Sequence, residues 1–170
     1  MKTFERTDTI YLDHHATTPM DPRVLKAMLP YFVRRFGNAS SFTHSFGRDA
    51  GGKVDEARDE IARLIHAEAR DIVFTSGATE SNNLAIKGVA EAYRSKGDHF
   101  ISTVVEHKSV LDPLKRLSQN GFRATLLPVG KNGLVKVSDV KKALTPKTIL
   151  ISIMAANNET GVLQPIHEIA

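Results

Sequence analysis

The chain has 170 residues, of which 41% are apolar and 25% charged, enough for one globular domain with a core. It has no cysteine, which excludes disulfides, thiolate metal ligands and a cysteine nucleophile, and no leader or bilayer-length apolar run, so a cytoplasmic protein without a membrane partner is expected. The net charge of +4 does not imply nucleic acid, because acids and bases alternate (Asp55, Glu56, Arg58, Asp59, Glu60, Arg63) as on a solvated helix face.

The first motif is Tyr11-Leu12-Asp13-His14-His15-Ala16-Thr17-Thr18-Pro19, in which an acid beside two imidazoles suggests a metal site. Asp21-Pro22 then reads as a helix N-cap followed by proline at the first helical position. Val24, Leu25, Met28 and Leu29 keep helical spacing, and Pro30 is expected to end that helix early. Phe36 to Phe46 (FGNASSFTHSF) reads as an irregular loop. From about Arg48 to Ala67, Val54, Ala57, Ile61, Leu64 and Ile65 form one helical stripe, with Gly51 and Gly52 weakening its first turn.

Strands and helices alternate after that. Ile72 to Thr75 is a short β-rich run, followed by a helix from about Glu80 to Arg94 with Leu84, Ala85, Gly88, Val89 and Ala92 inward. Phe100 to Val105 predicts a second strand. A helix carrying Val110, Leu111, Leu114 and Leu117 follows and stops at Gly121. Ala124 to Val129 predicts a third strand, Lys131-Asn132-Gly133 a turn, Ser138 to Leu144 a short helix, and Thr148 to Met154 a last apolar strand. This order implies an α/β fold: a mostly parallel sheet with helices on both faces. Pro165 to Ala170 reads as the start of another helix, so the sequence is expected to be the front part of something larger.

Open α/β sheets bind ligands beyond the carboxyl ends of their strands. Three polar segments follow the predicted strands: Ser76-Gly77-Ala78-Thr79-Glu80, Glu106-His107-Lys108, and Asn157-Asn158-Glu159-Thr160-Gly161. The first has a glycine for a tight turn, small side chains and the free N–H groups of a helix start, which suits an anion. The alternative is an ordinary cap made by Ser76 or Thr79. His107 could stack on a flat ligand or move a proton, or simply cap a helix. The Asn157-Asn158 pair could hold a ligand oxygen or form a turn.

At SGATESNNLAIKG (76–88) the sequence resembles the cysteine desulfurases of the class V aminotransferase group, pyridoxal-phosphate enzymes of fold type I, aspartate aminotransferase-like. YLDHHATTP with DPRV (21–24), FGNASSFTHSFG (36–47), EARDEIA (56–62), EHKSVLDP (106–113) and ILISIMAANNETGVLQPI (149–166) continue the likeness over nearly the whole chain. The resemblance implies that Ala78 and Thr79 bind the phosphate of pyridoxal 5'-phosphate. It implies that His107 stacks on the ring and transfers protons, and that Asn158 bonds the ring hydroxyl and orients the substrate carboxylate. Residues 1–20 would lie near the active-site mouth, as would the Asn38 to His44 loop, and 21–170 would form the first part of the cofactor-binding large domain.

Family members are more than twice this length. The remainder of the large domain and a small C-terminal domain, with the Schiff-base lysine, the pyridine-pairing aspartate and the persulfide cysteine, would lie outside these residues. Lys108 follows His107 too early to be that lysine and reads as a helix-surface residue. The implied partners are a C-terminal half on a separate chain, a second copy in a homodimer, L-cysteine, and an iron–sulfur scaffold or sulfur carrier. Two alternatives are an inactive truncated or split half, and another class V aminotransferase or a selenocysteine lyase. In the family's pattern His14 and His15 fill a variable pair. Only Glu5 and Asp8 precede them, too few ligands for a site like that of the Asp-His-His phosphoesterases, so no metal is expected.

Overall fold

A computed structural model describes residues 10–14 and 16–170. Glu5, Asp8 and His15, which the metal argument weighs, and residues 1–9 of the expected N-terminal segment lie outside the described residues. The chain divides into two compact units, residues 1–74 and 75–170.

In the first unit, the Asp13 carbonyl accepts from the Ala16 and Thr17 N–H groups, and the His14 ring meets Tyr11 edge-on at 5.1 Å. Helix α1 spans Pro22–Val33. Its N-cap is Asp21, whose carboxylate accepts from the Arg23 N–H at 2.7 Å and is held below the usual carboxylate range, first by the Arg23 side chain. Pro30 does not end the helix as expected. It withdraws one N–H, and the helix continues to Val33 because the Pro30 carbonyl accepts from both Arg34 and Arg35. Helix α2 spans Ser45–Leu64, beginning three residues before the expected start, so Gly51 and Gly52 fall beyond its first turn. A Cβ on Gly47 would collide with the Ser41 carbonyl, so glycine is what lets the 37–41 loop close on the helix start. Ala27, Met28 and Tyr31 of α1, Val54 and Ala57 of α2, and Phe74 line an apolar groove of about 700 Å³.

The β-rich run from Ile72 is not a strand. A 3-10 turn at Ala69–Asp71 precedes it, and the Ile72 carbonyl accepts from Arg58 rather than from a neighbouring strand. The Arg58 guanidinium lies 4.8 Å from the Phe74 ring centre.

The second unit carries the sheet. Helix α3 (Ala78–Ala92), β1 (His99–Thr103), α4 (Lys108–Ser118), β2 (Arg123–Leu127), α5 (Val137–Ala143), β3 (Thr148–Ile151) and α6 (Ile166–Ile169) follow in order. The strands lie in the order β2-β1-β3, all parallel. Every residue of β1 is buried, as the middle strand requires. Alternation along β1 then divides the core. Phe100 points to Ile86, Ala90, Val110, Leu114 and Phe122, while Ile101 points to Leu127, Val135 and Val140. Helices α3 and α4 therefore cover one face and α5 the other. Of the expected inward stripe on α3 only Val89 packs on the core, beside Ile86 and Ala90, while Leu84, Ala85, Gly88 and Ala92 are exposed. Both stripes keep helical spacing, and only the packing partner chooses between them.

Candidate functional site

The N-terminus of α3 is left open. Its N-cap is Gly77, at φ 155°, a conformation that favours glycine, and no side chain caps the helix. Neither Ser76 nor Thr79 plays the capping role weighed above. Instead the Glu80 carboxylate folds back to accept from the Ser76 N–H and hydroxyl, both at 2.7 Å. Those bonds, the backbone one first, hold Glu80 below the usual carboxylate range. The first N–H groups of a helix have no intrahelical partner, so those of Ala78 and Thr79 face outward as donors at the positive end of the helix dipole.

His107, four residues after β1 ends at Thr103, is the N-cap of α4. The exposed imidazole caps it, with Nδ1 accepting from the Ser109 N–H at 3.1 Å. Ser109 Oγ lies 2.8 Å from the same nitrogen, and Asn82 Nδ2 of α3 donates to that hydroxyl at 2.8 Å. Thr79, Asn83 and Lys87 of α3 and His107, Lys108, Ser109, Asp112, Pro113 and Arg116 line one cleft of about 360 Å³. The cleft thus joins Thr79 to His107. Lys108, exposed at the first position of α4, stands on its rim.

Asn158 lies in the segment beyond β3, on the same sheet edge as His107. Its Nδ2 donates to Glu159 at 2.7 Å, and neither it nor Ala78 lines the cleft. Asn157 is not available to a ligand. It is buried, donates to the Val105 carbonyl, and accepts through Oδ1 from the Glu159 and Thr160 N–H groups and the Thr160 hydroxyl. Glu106 also fastens this segment, accepting from the Met154 N–H at 2.7 Å, and burial pushes its carboxyl up. Sequence reasoning missed Asn82 and Ser109, and it named Glu106 only as part of a polar strand-end segment. The faint signal was Ser109 two residues after a possible capping histidine and Asn82 one helical turn beyond Thr79. Among the described residues no group of three or more His, Asp and Glu could hold a metal, and no helix is long and apolar enough to cross a membrane.

A family model described as aminotransferase class-V matches residues 10–170. Cysteine desulfurase IscS of Rickettsia bellii is 56% identical over 94% of this chain, and that of Rickettsia felis 55% over the same share. The chain spans about 39% of the length of each. Among solved structures, a NifS-like protein superposes with a TM-score of 0.90 at 39% identity, covering 94% of this chain and 44% of the other. SspA in complex with cysteine superposes at 0.88 and 40% identity, covering 95% and 46%. Both likenesses agree with the parallel α/β arrangement described above.

Proposed function

The chain belongs to the class-V aminotransferase family, and we propose that it forms the phosphate-binding and ring-contacting part of a cysteine desulfurase. Class-V aminotransferases and cysteine desulfurases are pyridoxal-phosphate enzymes as a family. The observation that carries the reading is the meeting of an uncapped helix N-terminus and an exposed imidazole in one cleft. The donors suit a phosphate: the open Ala78 and Thr79 N–H groups at the start of α3, beside a cleft whose lining adds the Thr79 hydroxyl, Lys87 and Lys108, with Asp112 its one acid.

In this reading Ala78 and Thr79 would hold the phosphate of pyridoxal 5'-phosphate at the N-terminus of α3. His107 lays its ring on the pyridine and presents Nε2 to the reacting atoms. Asn158 releases Glu159 to reach the ring hydroxyl and the substrate carboxylate. Pyridoxal 5'-phosphate, when bound, supplies the electron sink for the charge left when the substrate loses its α-proton. L-cysteine is the proposed substrate, supported by the names of the relatives. A cytoplasmic homodimer that also needs the residues supplying the covalent groups, and that passes sulfur to a scaffold or carrier, completes the proposal.

The test compares pyridoxal 5'-phosphate with pyridoxal in equilibrium dialysis against the purified chain. The phosphate ester is expected to bind more tightly. Thr79→Ala should weaken it about tenfold or more, since a hydrogen bond to a charged group contributes about 1.5–3 kcal/mol. Equal binding of the two compounds, or an unaffected Thr79→Ala variant, overturns the reading.

A further inference from the structure

We propose that Asn82 and Ser109 are positioning residues that hold His107 as a neutral imidazole protonated on Nε2. The proposal rests on the reading of the cleft as the active site, because only there does the tautomer matter. The Ser109 N–H points at Nδ1 from 3.1 Å, and a main-chain N–H can only donate, so Nδ1 carries no proton. The Ser109 hydroxyl, 2.8 Å from Nδ1, must then donate to it as well. Asn82 Nδ2, 2.8 Å from Oγ, supplies the opposite end of the relay by donating to that oxygen. Ser109 is only 6% exposed, so its hydroxyl has little water to turn toward.

Two donors thus converge on Nδ1, one from the backbone of α4 and one directed from α3. The ring proton is left on Nε2, which has no protein partner among the described residues. The lone pair of Nδ1 cannot take a proton without giving up the cap of α4. At the cleft, therefore, His107 is a hydrogen-bond donor through Nε2, with its ring plane set by two residues that are not themselves at the reacting atoms. The relay holds together through packing between α3 and α4, across 27 residues of sequence.

The experiment labels the chain with nitrogen-15 histidine and reads each ring by two-bond nitrogen–proton correlation, with no cofactor added. The His107 signals are those lost in His107→Gln. The wild-type ring is expected to show Nε2 protonated and Nδ1 shifted as a hydrogen-bonded acceptor. In Ser109→Ala the Nδ1 signal should move toward that of a free acceptor, whereas Ser109→Thr should keep it. Asn82→Asp places an acceptor where the amide donated, draws the Ser109 proton away, and should displace Nδ1 in the same direction. A wild-type ring protonated on Nδ1 overturns the proposal. So does an Nδ1 signal unmoved in both Ser109→Ala and Asn82→Asp while their amide spectra stay folded. The outcome is independent of cofactor binding: a correct tautomer without phosphate-dependent binding refutes the active-site reading alone, and the converse result refutes only the relay.

Discussion

His99 shows how one buried polar residue can set a pH limit on the fold. It sits on the middle strand, 3% exposed, with Nδ1 2.8 Å from the Thr148 hydroxyl of β3 and Nε2 2.8 Å from the Thr125 hydroxyl of β2. One imidazole thereby ties all three strands. Burial is the first cause that pushes its pKa below the ordinary 6.5, and the nearby Arg123 adds to it. A base whose folded pKa is depressed is more protonated unfolded than folded, so stability rises with pH between the folded value and 6.5. The contribution is complete above about 6.5 and is lost as pH falls below it. Urea midpoints measured from pH 8 down to 5 should therefore fall through that window, and in His99→Gln this segment of the profile should flatten although the baseline is lower. An identical slope in the variant assigns the pH dependence elsewhere. The place of His107 was legible in the sequence because it follows the turn that leaves a strand, whereas Thr79 was placed by a strand at Ile72 that does not form and reaches the cleft as the second residue of α3. The parts of His99, Asn82 and Ser109 were not legible, since each depends on a partner 25 or more residues away.

At the scale of elements, the sequence foretold which helices exist better than which face they bury or where they stop. Helix α1 illustrates both. Asp21-Pro22 marked its start correctly, because a cap acts through atoms within three residues. Its end was misread because a proline in a last turn loses only one backbone bond, and the Pro30 carbonyl can still accept from Arg34 and Arg35. The strand expected at Ile72 failed for the opposite reason: β-branched and aromatic residues favour extended backbone, but a strand also needs a neighbour. The cap itself can be weighed against the ion pair beside it. Arg23 reaches the Asp21 carboxylate at 2.7 Å, yet its side chain is 91% exposed, and such surface pairs contribute little. The N–H bond to Asp21 is the larger effect. Asp21→Ala should cost about 1 kcal/mol in urea unfolding, Asp21→Asn should retain most of that, and Arg23→Ala should change it by less than about 0.5 kcal/mol. A larger loss in Arg23→Ala than in Asp21→Ala reverses this ranking.

At the scale of the whole chain, the proposed phosphate and ring contacts stand in 170 residues that contain no cysteine. Desulfuration of L-cysteine needs a thiol to attack the substrate sulfur, and no cysteine is present in the 170 residues. It also needs a lysine that can form and release an imine at the end of the cofactor. Lys87 and Lys108 are the lysines of the cleft; Lys108 is the first residue of α4, beside His107, and Lys87 lies in the interior of α3, nine residues past Ala78. The chain spans about 39% of the IscS relatives it matches, so groups present elsewhere in those proteins have no counterpart among these residues. Binding and turnover should therefore separate. With pyridoxal 5'-phosphate, L-cysteine and dithiothreitol as the reductant, sulfide and alanine should form no faster with the chain than with the free cofactor, and the rate should be the same for Lys108→Ala. Borohydride treatment of the loaded chain should leave no pyridoxyl group on Lys87 or Lys108 in intact-mass and peptide spectra. Sulfide release rising in proportion to added chain, or a pyridoxyl label on Lys108 matched by loss of rate in its alanine variant, would make this cleft self-sufficient. In that case Lys108 would be its covalent base, and the dithiothreitol thiol would take the substrate sulfur and reduce it to sulfide.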